Sequence, residues 1–424
     1  MKIGFFKGVL IMNLCIFEDN GYTKLLPLTY LRPVYDLRCG INTIREKIVR
    51  AYPGLPVSLL CRDYLKEVLK EDNPGLRINY LPEDRYLFVN GRVLFEDNLK
   101  KSINLESEGV YLQDNSVIAA VVKGDNLKPI RRKLGQPLER EDFKGLPVHG
   151  VKAKQLDYTW DFIHHNSGQI KEDFKVLSRG GIIAGGVYEG VSILERSNIY
   201  IAEDAQVKPG VILDAENGPI FIDKGAKVLP NATIIGPAFV GAGSTVKVGA
   251  KIYEGSSFGE VCKVGGEVEE SIIHSYSNKQ HDGFLGHAYL GQWVNLGAGT
   301  NNSDLKNNYG TVKVPVNGKI IDSGSMFVGA TIGDHSKTGI NTMLNTGTVI
   351  GVFSNVFGAE FPPKFIPSFS WGGAEGFIEH EFDKAVASAR CVLERRDKEI
   401  TPQMARLYRH VFEMTEPQRE ALNF

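Results

Sequence analysis

The densest group of side chains with chemical capacity lies at residues 281–302. The segment reads HDGFLGHAYLGQWVNLGAGTNN and contains His281, His287 and three asparagines. An imidazole titrates near neutral pH, so it can accept a proton from a reacting group. Apolar residues return every six positions from Phe284 onwards. Neither an α-helix nor an ordinary strand has that period, so these side chains belong to another kind of repeat.

The period of six extends well beyond this segment and predicts a parallel β-helix. One run of apolar residues has no gap: Ile222, Val228, Ile234, Val240, Val246, Ile252, Phe258 and Val264. In such a prism one aliphatic residue per strand points inward, small residues fill the corners, and glycine or asparagine supplies the turns. Hexapeptide prisms of this kind resemble the left-handed β-helix family. The alternative, chance alternation in a β-sandwich, does not explain so long a run in phase.

Two segments interrupt the repeat, at residues 265–283 and 303–326. Loops that leave a rigid solenoid commonly carry its binding and catalytic residues. Both interruptions flank the segment that holds His281. We therefore expect a cleft at this level of the prism.

The remaining sequence predicts two further parts. Alternating strand and helix patterns predict an N-terminal α/β domain. The expected domains are an α/β domain (1–175), an all-β left-handed parallel β-helix (176–365), and an exit loop with a C-terminal helical tail (366–424).

Composition narrows the class of protein. The net charge of −1 gives no sign of binding to nucleic acid, and no apolar run reaches the length of a membrane span. Five scattered cysteines without a CxxC motif indicate reduced thiols in a cytoplasmic protein. The N-terminal segment predicts an ordinary first strand, with translation starting at Met1 or Met12.

Several long phrases resemble one protein family. They are LLPLTYLRPVYDLRCGINTIREK, GGEVEESIIH, SNKQHDGFLGH, NLGAGTNNSDLKNNYG and GDHSKTGINTMLNTGTVIG. These phrases are similar to those of GlmU-like sugar nucleotidyltransferases, relatives of the bifunctional enzymes that make UDP-N-acetylglucosamine. The resemblance implies a nucleotidyltransferase-like front domain and a β-helix acyltransferase. It also implies a sugar 1-phosphate, a nucleoside triphosphate and acetyl-CoA as substrates, with Mg²⁺ if the front domain is active.

In the β-helix half, the resemblance implies that His281 is the general base for acetyl transfer to the amine of glucosamine 1-phosphate. It implies further roles at matching positions: acceptor binding by Lys247, Phe284, Asn295, Asn301 and Asn302, and acyl-CoA binding by Ala298 and Gly299. The chain departs from the family motif at three places. Phe284 replaces a tyrosine, Glu269-Glu270 replaces two lysines, and Asp304-Leu305 replaces an asparagine-tyrosine pair. The acyl acceptor therefore stays open.

In the front domain, the resemblance implies nucleotide and phosphate binding by a loop that reads GYTKLLPLTYLRPV. The candidate phosphate-binding residues are Lys24, Arg32, Arg38 and Arg92. Val34 stands where the family has a lysine, and Asn90-Gly91-Arg92 stands where it has the aspartate that holds magnesium. Asp19 is the candidate replacement ligand for Mg²⁺, with Glu18 beside it.

Two function classes follow. The first is a bifunctional enzyme of sugar-nucleotide synthesis. The second is an acyl-CoA-dependent sugar acyltransferase whose front domain only binds or positions a nucleotide sugar.

Flat prism faces commonly pack against one another, so we also expect a homotrimer.

Overall fold

The computed structural model describes residues 12–177 and 179–421. The part of the predicted N-terminal strand within residues 1–11, with the candidate start Met1, lies outside that range, whereas Asn13–Phe17 does form a strand. The chain divides into two compact units. The first comprises the chain up to Tyr22, Arg32–Asp36 and Ile44–Leu156; the second comprises Thr23–Leu31, Leu37–Thr43 and the chain from Asp157 onwards. The predicted domain limits stay predictions.

The first unit is a mixed α/β fold around a seven-stranded sheet. The strands of this unit are β1 (Asn13–Phe17), β2 (Val57–Leu59), β3 (Arg77–Ile78), β4 (Arg85–Asn90), β5 (Val93–Leu94), β6 (Gly109–Gln113), β7 (Ser116–Lys123), β8 (Val148–Gly150) and β9 (Lys154–Gln155). The order in the seven-stranded sheet is β3-β2-β1-β4-β7-β6-β8. The helices of the first unit are α1 (Ile44–Ala51), α2 (Lys66–Asp72), α3 (Asp97–Ser102) and α4 (Lys128–Arg131). Every residue of β1 is buried, as expected for a central strand flanked by parallel neighbours.

The second unit is a prism with three faces. The first face contains β10 (Gly186–Val187), β13 (Gln206–Val207), β16 (Lys227–Val228), β19 (Thr245–Val246), β22 (Lys263–Val264) and β25 (Asn278–Lys279). The second contains β11 (Ser192–Leu194), β14 (Ile212–Asp214), β17 (Thr233–Ile235), β20 (Lys251–Ile252), β23 (Glu267–Glu269) and β26 (Phe284–Gly286). The third contains β12 (Ile199–Ile201), β15 (Ile220–Ile222), β18 (Ala238–Val240), β21 (Ser256–Phe258), β24 (Ile272–Ile273), β27 (Tyr289–Leu290), β31 (Thr331–Ile332), β34 (Val349–Ile350) and β36 (Phe365–Ile366).

All neighbours within a face pair in parallel, and from β10 to β27 every third strand belongs to the same face. The eight apolar residues of the uninterrupted run are all buried in one continuous core. The period of six thus places one side chain per strand inside the prism. The predicted fold class is confirmed: an α/β N-terminal domain, a left-handed parallel β-helix of hexapeptide repeats, and a C-terminal helical tail.

The two predicted interruptions have different outcomes. Residues 303–326 do leave the prism, as an antiparallel hairpin of β29 (Lys313–Val316) and β30 (Lys319–Asp322). Residues 265–283 do not, so that prediction is wrong. They form a complete coil with one strand in each face, but the coil is short. Val246 pairs with Val264, whereas Val264 pairs with Lys279 after three fewer residues.

The prism continues past the hairpin and ends in the helical tail. Its last strands are β28 (Asn301–Asn302), β32 (Lys337–Thr338), β33 (Met343–Leu344), β35 (Asn355–Val356), β37 (Ser370–Gly373) and β38 (Gly376–Glu379). The helices of this unit are α5 (Thr159–Leu177), α6 (Phe382–Glu394), α7 (Pro402–Met414) and α8 (Glu416–Glu420). Thr401 caps α7 by accepting a hydrogen bond from the Met404 N–H. No helix among the described residues is both long and apolar enough to cross a membrane.

A lysine occupies one inward position of the prism. Lys279 pairs with Val264 in the first face, and only 2% of its surface is exposed. Its Nζ donates to the carbonyls of Gly265 (3.1 Å) and His281 (2.5 Å). Burial lowers the pKa of Lys279 to about 8 because the charged form loses its hydration. The folded state therefore binds this proton more weakly than the unfolded state does.

We expect Lys279→Met to change how stability depends on pH. Between about pH 8 and 10.5 the unfolded wild type keeps the proton that the folded form has released, so wild-type stability rises with pH in this window. The thermal midpoint of wild type should rise relative to that of the variant across this range. The exposed Lys227 of the same face supplies the control, Lys227→Met. Parallel pH curves for wild type and Lys279→Met would contradict the prediction.

Candidate functional site

His281 lies at the corner that follows β25. The ammonium of Lys279 holds its backbone carbonyl, while its side chain is exposed. Within residues 12–177 and 179–421, no hydrogen-bond partner holds the His281 ring. The structure thus fixes the backbone of His281 and leaves its imidazole accessible.

Two of the asparagines predicted to bind the acceptor form hydrogen bonds with the protein backbone in this structure. Asn301 accepts from the Phe284 N–H (2.7 Å) and donates to the Gly299 carbonyl (2.7 Å). Asn302 accepts from the N–H of Gly286 (2.9 Å) and donates to the carbonyl of the same residue (2.8 Å). Both amide oxygens therefore accept from backbone N–H groups of the preceding coil, and a ligand would have to displace these contacts.

The predicted acyl-CoA-binding turn is also constrained by the coils. Gly299 has φ of +70°, and its N–H donates to the Asp282 carbonyl (2.9 Å). An added Cβ would meet the amide oxygen of Asn341 at 2.1 Å, so only glycine fits here. The carbonyl of Ala298 accepts from the Asn341 N–H (2.7 Å). The N–H of Gly299 is therefore not free to bind a ligand in this structure.

Asn295 lines a cavity of about 260 Å³ between the first face and the helical tail. We call it the tail cavity. Its cationic lining residues are Lys263, Lys337, Arg395 and Arg396, and its amides are Asn278, Gln280 and Asn295. Tyr276, Trp293 and Val392 complete the wall. Lys247 is half-buried on the same face and close enough to contribute to a lowered pKa of Lys263.

A second cavity, of about 280 Å³, lies along the second face and is lined by Phe284, Asn301, Asp282 and Lys251. Gln280 lines the tail cavity and Asp282 lines the second one. His281 thus separates the two cavities along the chain.

His287 has the oriented geometry that His281 lacks. Its Nδ1 lies 2.8 Å from Oδ2 of Asp304, and its ring stacks on Phe327 with centroids 5.0 Å apart. A carboxylate on one ring nitrogen fixes the orientation of an imidazole and the nitrogen that carries its hydrogen. Glu270 is nearby, and burial raises its pKa to about 7. The geometry of His287 therefore also suits a general base.

Asp19 in the first unit is saturated with hydrogen-bond donors. Arg92 donates to both carboxylate oxygens, from Nε at 2.7 Å and Nη2 at 2.6 Å. The Asn90 amide (2.8 Å) and the Gly21 N–H (3.0 Å) donate as well. Glu18 is held in the same way by Arg62, at 3.1 Å from each oxygen.

This donor set does not fit Mg²⁺, which needs free oxygen ligands. In the part of the chain that the structure describes, no group of three or more His, Cys, Asp or Glu residues could hold a metal ion. The prediction of Asp19 as a metal ligand is therefore wrong in this structure, because a guanidinium occupies its oxygens.

The predicted phosphate-binding cations are mostly engaged as well. Arg92 pairs with Asp19, as described above. Lys24 lies 3.2 Å from Asp157, and Arg38 lies 2.8 Å from Glu260. Lys24 and Arg38 are part of the second compact unit. Arg32 is buried, and its carbonyl accepts from Arg62 (2.8 Å).

Sequence reasoning missed the four cations of the tail cavity. Lys263 and Lys337 come directly before inward residues of the repeat, at positions that point outward, and Arg395-Arg396 follows α6. Backbone pairing joins Asn278 to Asn295 and Asn295 to Lys337 across the hairpin. The hexapeptide phase alone could have identified the outward lysines. It could not have placed them beside the tail.

Comparison with known proteins identifies several proteins that are similar to this chain. Residues 14–181 match the model of the sugar nucleotidyl transferase family. The chain is 33% identical to a bifunctional sugar-1-phosphate nucleotidylyltransferase/acetyltransferase of Sulfurisphaera tokodaii, over 62% of each chain. It is 28% identical to the bifunctional protein GlmU of Methanococcus maripaludis, over 78% of this chain and 89% of the relative.

Other comparisons are more limited. The match spans only 41% of the GlmU protein of Synechococcus elongatus, at 28% identity over 43% of this chain. The chain thus covers less than two thirds of the length of these first curated relatives. A crystal structure of AntD, an N-acyltransferase from Bacillus cereus, aligns with 54% of this chain and 96% of its own at 12% identity. The TM-score is 0.17, too low to indicate a shared overall fold.

The family match and the curated relatives agree with the two kinds of domain described above. Residues 14–181 are similar to sugar nucleotidyl transferase domains, and the chain is similar to GlmU-type bifunctional proteins.

Proposed function

We propose that this chain is a transferase of sugar-nucleotide synthesis whose β-helix moves an acetyl group from acetyl-CoA to the amine of an amino-sugar 1-phosphate. One observation carries the proposal: the imidazole of His281 is exposed on a coil whose preceding residue, Gln280, lines one polar cavity and whose following residue, Asp282, lines another. The printed names of the relatives, which include nucleotidylyltransferase and acetyltransferase activities, support this choice.

The chemistry requires an amine to lose a proton as its nitrogen attacks the thioester carbonyl. A neutral imidazole within reach accepts that proton, and the CoA thiolate leaves. His281 and His287 are the two candidate bases. The coil hydrogen bonds hold either residue on a rigid element, which favours precise positioning of the reacting groups.

Nucleotidyl transfer by the front domain is the second candidate activity, favoured by the family match over residues 14–181. The Asp19–Arg92 pair leaves Asp19 unsuited to a metal ion, so the phosphates of the nucleotide would bring most of the ligands for Mg²⁺. Arg32 is the residue of the first unit that we assign to the phosphates. A front domain that only binds a nucleotide sugar is the alternative.

The proposal includes assembly and location. The exposed His281 corner lacks a partner for its ring in the described chain, and a second copy packed on this face would enclose it. We propose a homotrimer on this ground. We also propose that the protein is cytoplasmic, where its five cysteines would stay free thiols.

We expect His281→Ala to slow CoA release from acetyl-CoA and glucosamine 1-phosphate by about 10²–10⁴-fold, the usual cost of losing a general base. The thermal midpoint should not change, because the side chain is exposed. His149→Ala, an exposed histidine of the first unit, is the matched control. The same loss in His287→Ala, with His281→Ala near wild type, would assign the base to His287. Wild-type protein that releases no CoA with any amino-sugar 1-phosphate would refute acetyl transfer.

For the front domain, we expect pyrophosphate release from UTP or dTTP with a sugar 1-phosphate. Arg32→Ala should abolish this release by removing positive charge from the triphosphate, while acetyl transfer continues. The measurement is a coupled pyrophosphate assay on the full chain. No pyrophosphate from the wild type with any sugar 1-phosphate would leave the front domain as a binding domain.

Sedimentation equilibrium at micromolar concentration should give the mass of three chains. We expect this because an open coil face with an unpartnered catalytic corner gains from being covered. A single-chain mass at that concentration would contradict the trimer.

A further inference from the structure

The tail cavity has a strong excess of positive charge. Two lysines come from the first face, Lys263 and Lys337, and two arginines come from the end of α6, Arg395 and Arg396. None of the described residues that line it is Asp or Glu. Four cations therefore face a space without a protein carboxylate to balance them.

The fold itself does not explain these charges. In the described chain, Lys263, Arg395 and Arg396 make no ion pair, and Lys337 donates only to the His335 carbonyl (3.0 Å). Burial lowers the pKa of Lys263, and so do the nearby charges of Arg396, Lys247 and Arg395. Like charges held this close repel one another. A bound anion would relieve that repulsion.

The neutral lining indicates what else the anion carries. Oδ1 of Asn278 is buried without a hydrogen-bond donor, although the amide donates weakly towards Asn295 (3.4 Å). Gln280 and Asn295 add further amides. Side-chain amides both donate and accept hydrogen bonds, so a ligand with an N–H or O–H group beside its phosphate suits this wall. Arginines bind phosphate through paired N–H groups, and lysines act as point charges.

From this cavity we infer a binding site for a phosphate ester that also carries a hydrogen-bond donor, closed on one side by the helical tail. The choice of ligand rests on the proposed function, which offers two sources. One is the phosphate groups of acyl-CoA, and the other is the 1-phosphate of the amino sugar. The cavity is smaller than most sites for whole organic ligands, so it fits the phosphorylated part of either.

Isothermal titration calorimetry on the full chain tests the site with four probes: CoA, dephospho-CoA, glucosamine 1-phosphate and inorganic pyrophosphate. The variants are Arg395→Gln with Arg396→Gln, and separately Lys263→Gln. Arg390→Gln is the control, because Arg390 is an exposed arginine of the same helix that does not line the cavity. Thermal midpoints establish that each variant folds.

We expect the double variant to raise the Kd of at least one probe by about tenfold or more, the effect of losing a charge-assisted hydrogen bond. Lys263→Gln should weaken the same probe, and Arg390→Gln should bind as wild type does. Weakened CoA binding with unchanged glucosamine 1-phosphate assigns the cavity to CoA; the reverse assigns it to the sugar phosphate. If CoA is the ligand, weaker wild-type binding of dephospho-CoA locates the 3′-phosphate there.

Two results would overturn the inference: a folded wild type that binds none of the four probes, or folded variants that bind all of them as wild type does. Its failure differs from failure of the proposed function. Binding that depends on Arg395 and Arg396 without acetyl transfer would keep the site and reject the reaction. Acetyl transfer with binding unaffected by these variants would keep the reaction and reject the site.

Discussion

Parallel register between coils is the constraint on which the rest of the second unit depends. Each strand hydrogen-bonds to the strand one coil before and one coil after it, so side chains in equivalent positions form straight rows. The inward row is aliphatic and forms the core. The outward row of the first face is Lys263, Asn278, Asn295 and Lys337. A polar wall on the prism therefore follows directly from the register that buries the apolar residues.

The corners connect this wall to the helical tail. Tyr276, Trp293, His335 and Phe353 each adopt a left-handed backbone conformation, with φ between +55° and +61°. Bulky residues rarely do so, and here their rings stack in a column, with Tyr276 and Trp293 at 4.4 Å and His335 and Phe353 at 4.5 Å. The hydroxyl of Tyr408 on α7 lies 3.2 Å from Nε2 of His335. Contacts of this kind hold the tail, and with it Arg395 and Arg396, against the first face.

The sequence predicted the repetitive part of the fold because one side chain per six residues decides burial. The phase predicted the inward residues from Ile222 to Val264 and the interruption at residues 303–326, which the structure shows to be a hairpin. Residues 265–283 were misread as a loop because a shortened coil with a lysine in the core breaks the pattern without breaking the fold. That lysine, Lys279, is stabilised by hydrogen bonds to two carbonyl oxygens. The spacing of residues in the sequence does not predict such bonds.

The candidate site was harder to predict because it depends on which groups are already paired. The family resemblance suggested functional roles for Asp19, Asn301 and Asn302, but Arg92 and the neighbouring coils occupy their polar atoms. Conversely, nothing in the sequence marks Arg395 and Arg396 as functional, because only the folded structure places them in the lining of the tail cavity. Pairing and long-range placement are properties of the folded chain, and neither follows from spacing.

The central claim is that acetyl transfer takes place on the β-helix, beside the corner histidines. A crystal structure of the protein with bound CoA tests it most directly. The account predicts that CoA lies along the β-helix with its sulfur beside His281 or His287. CoA bound with its sulfur remote from both histidines, or held by the front domain alone, would contradict it.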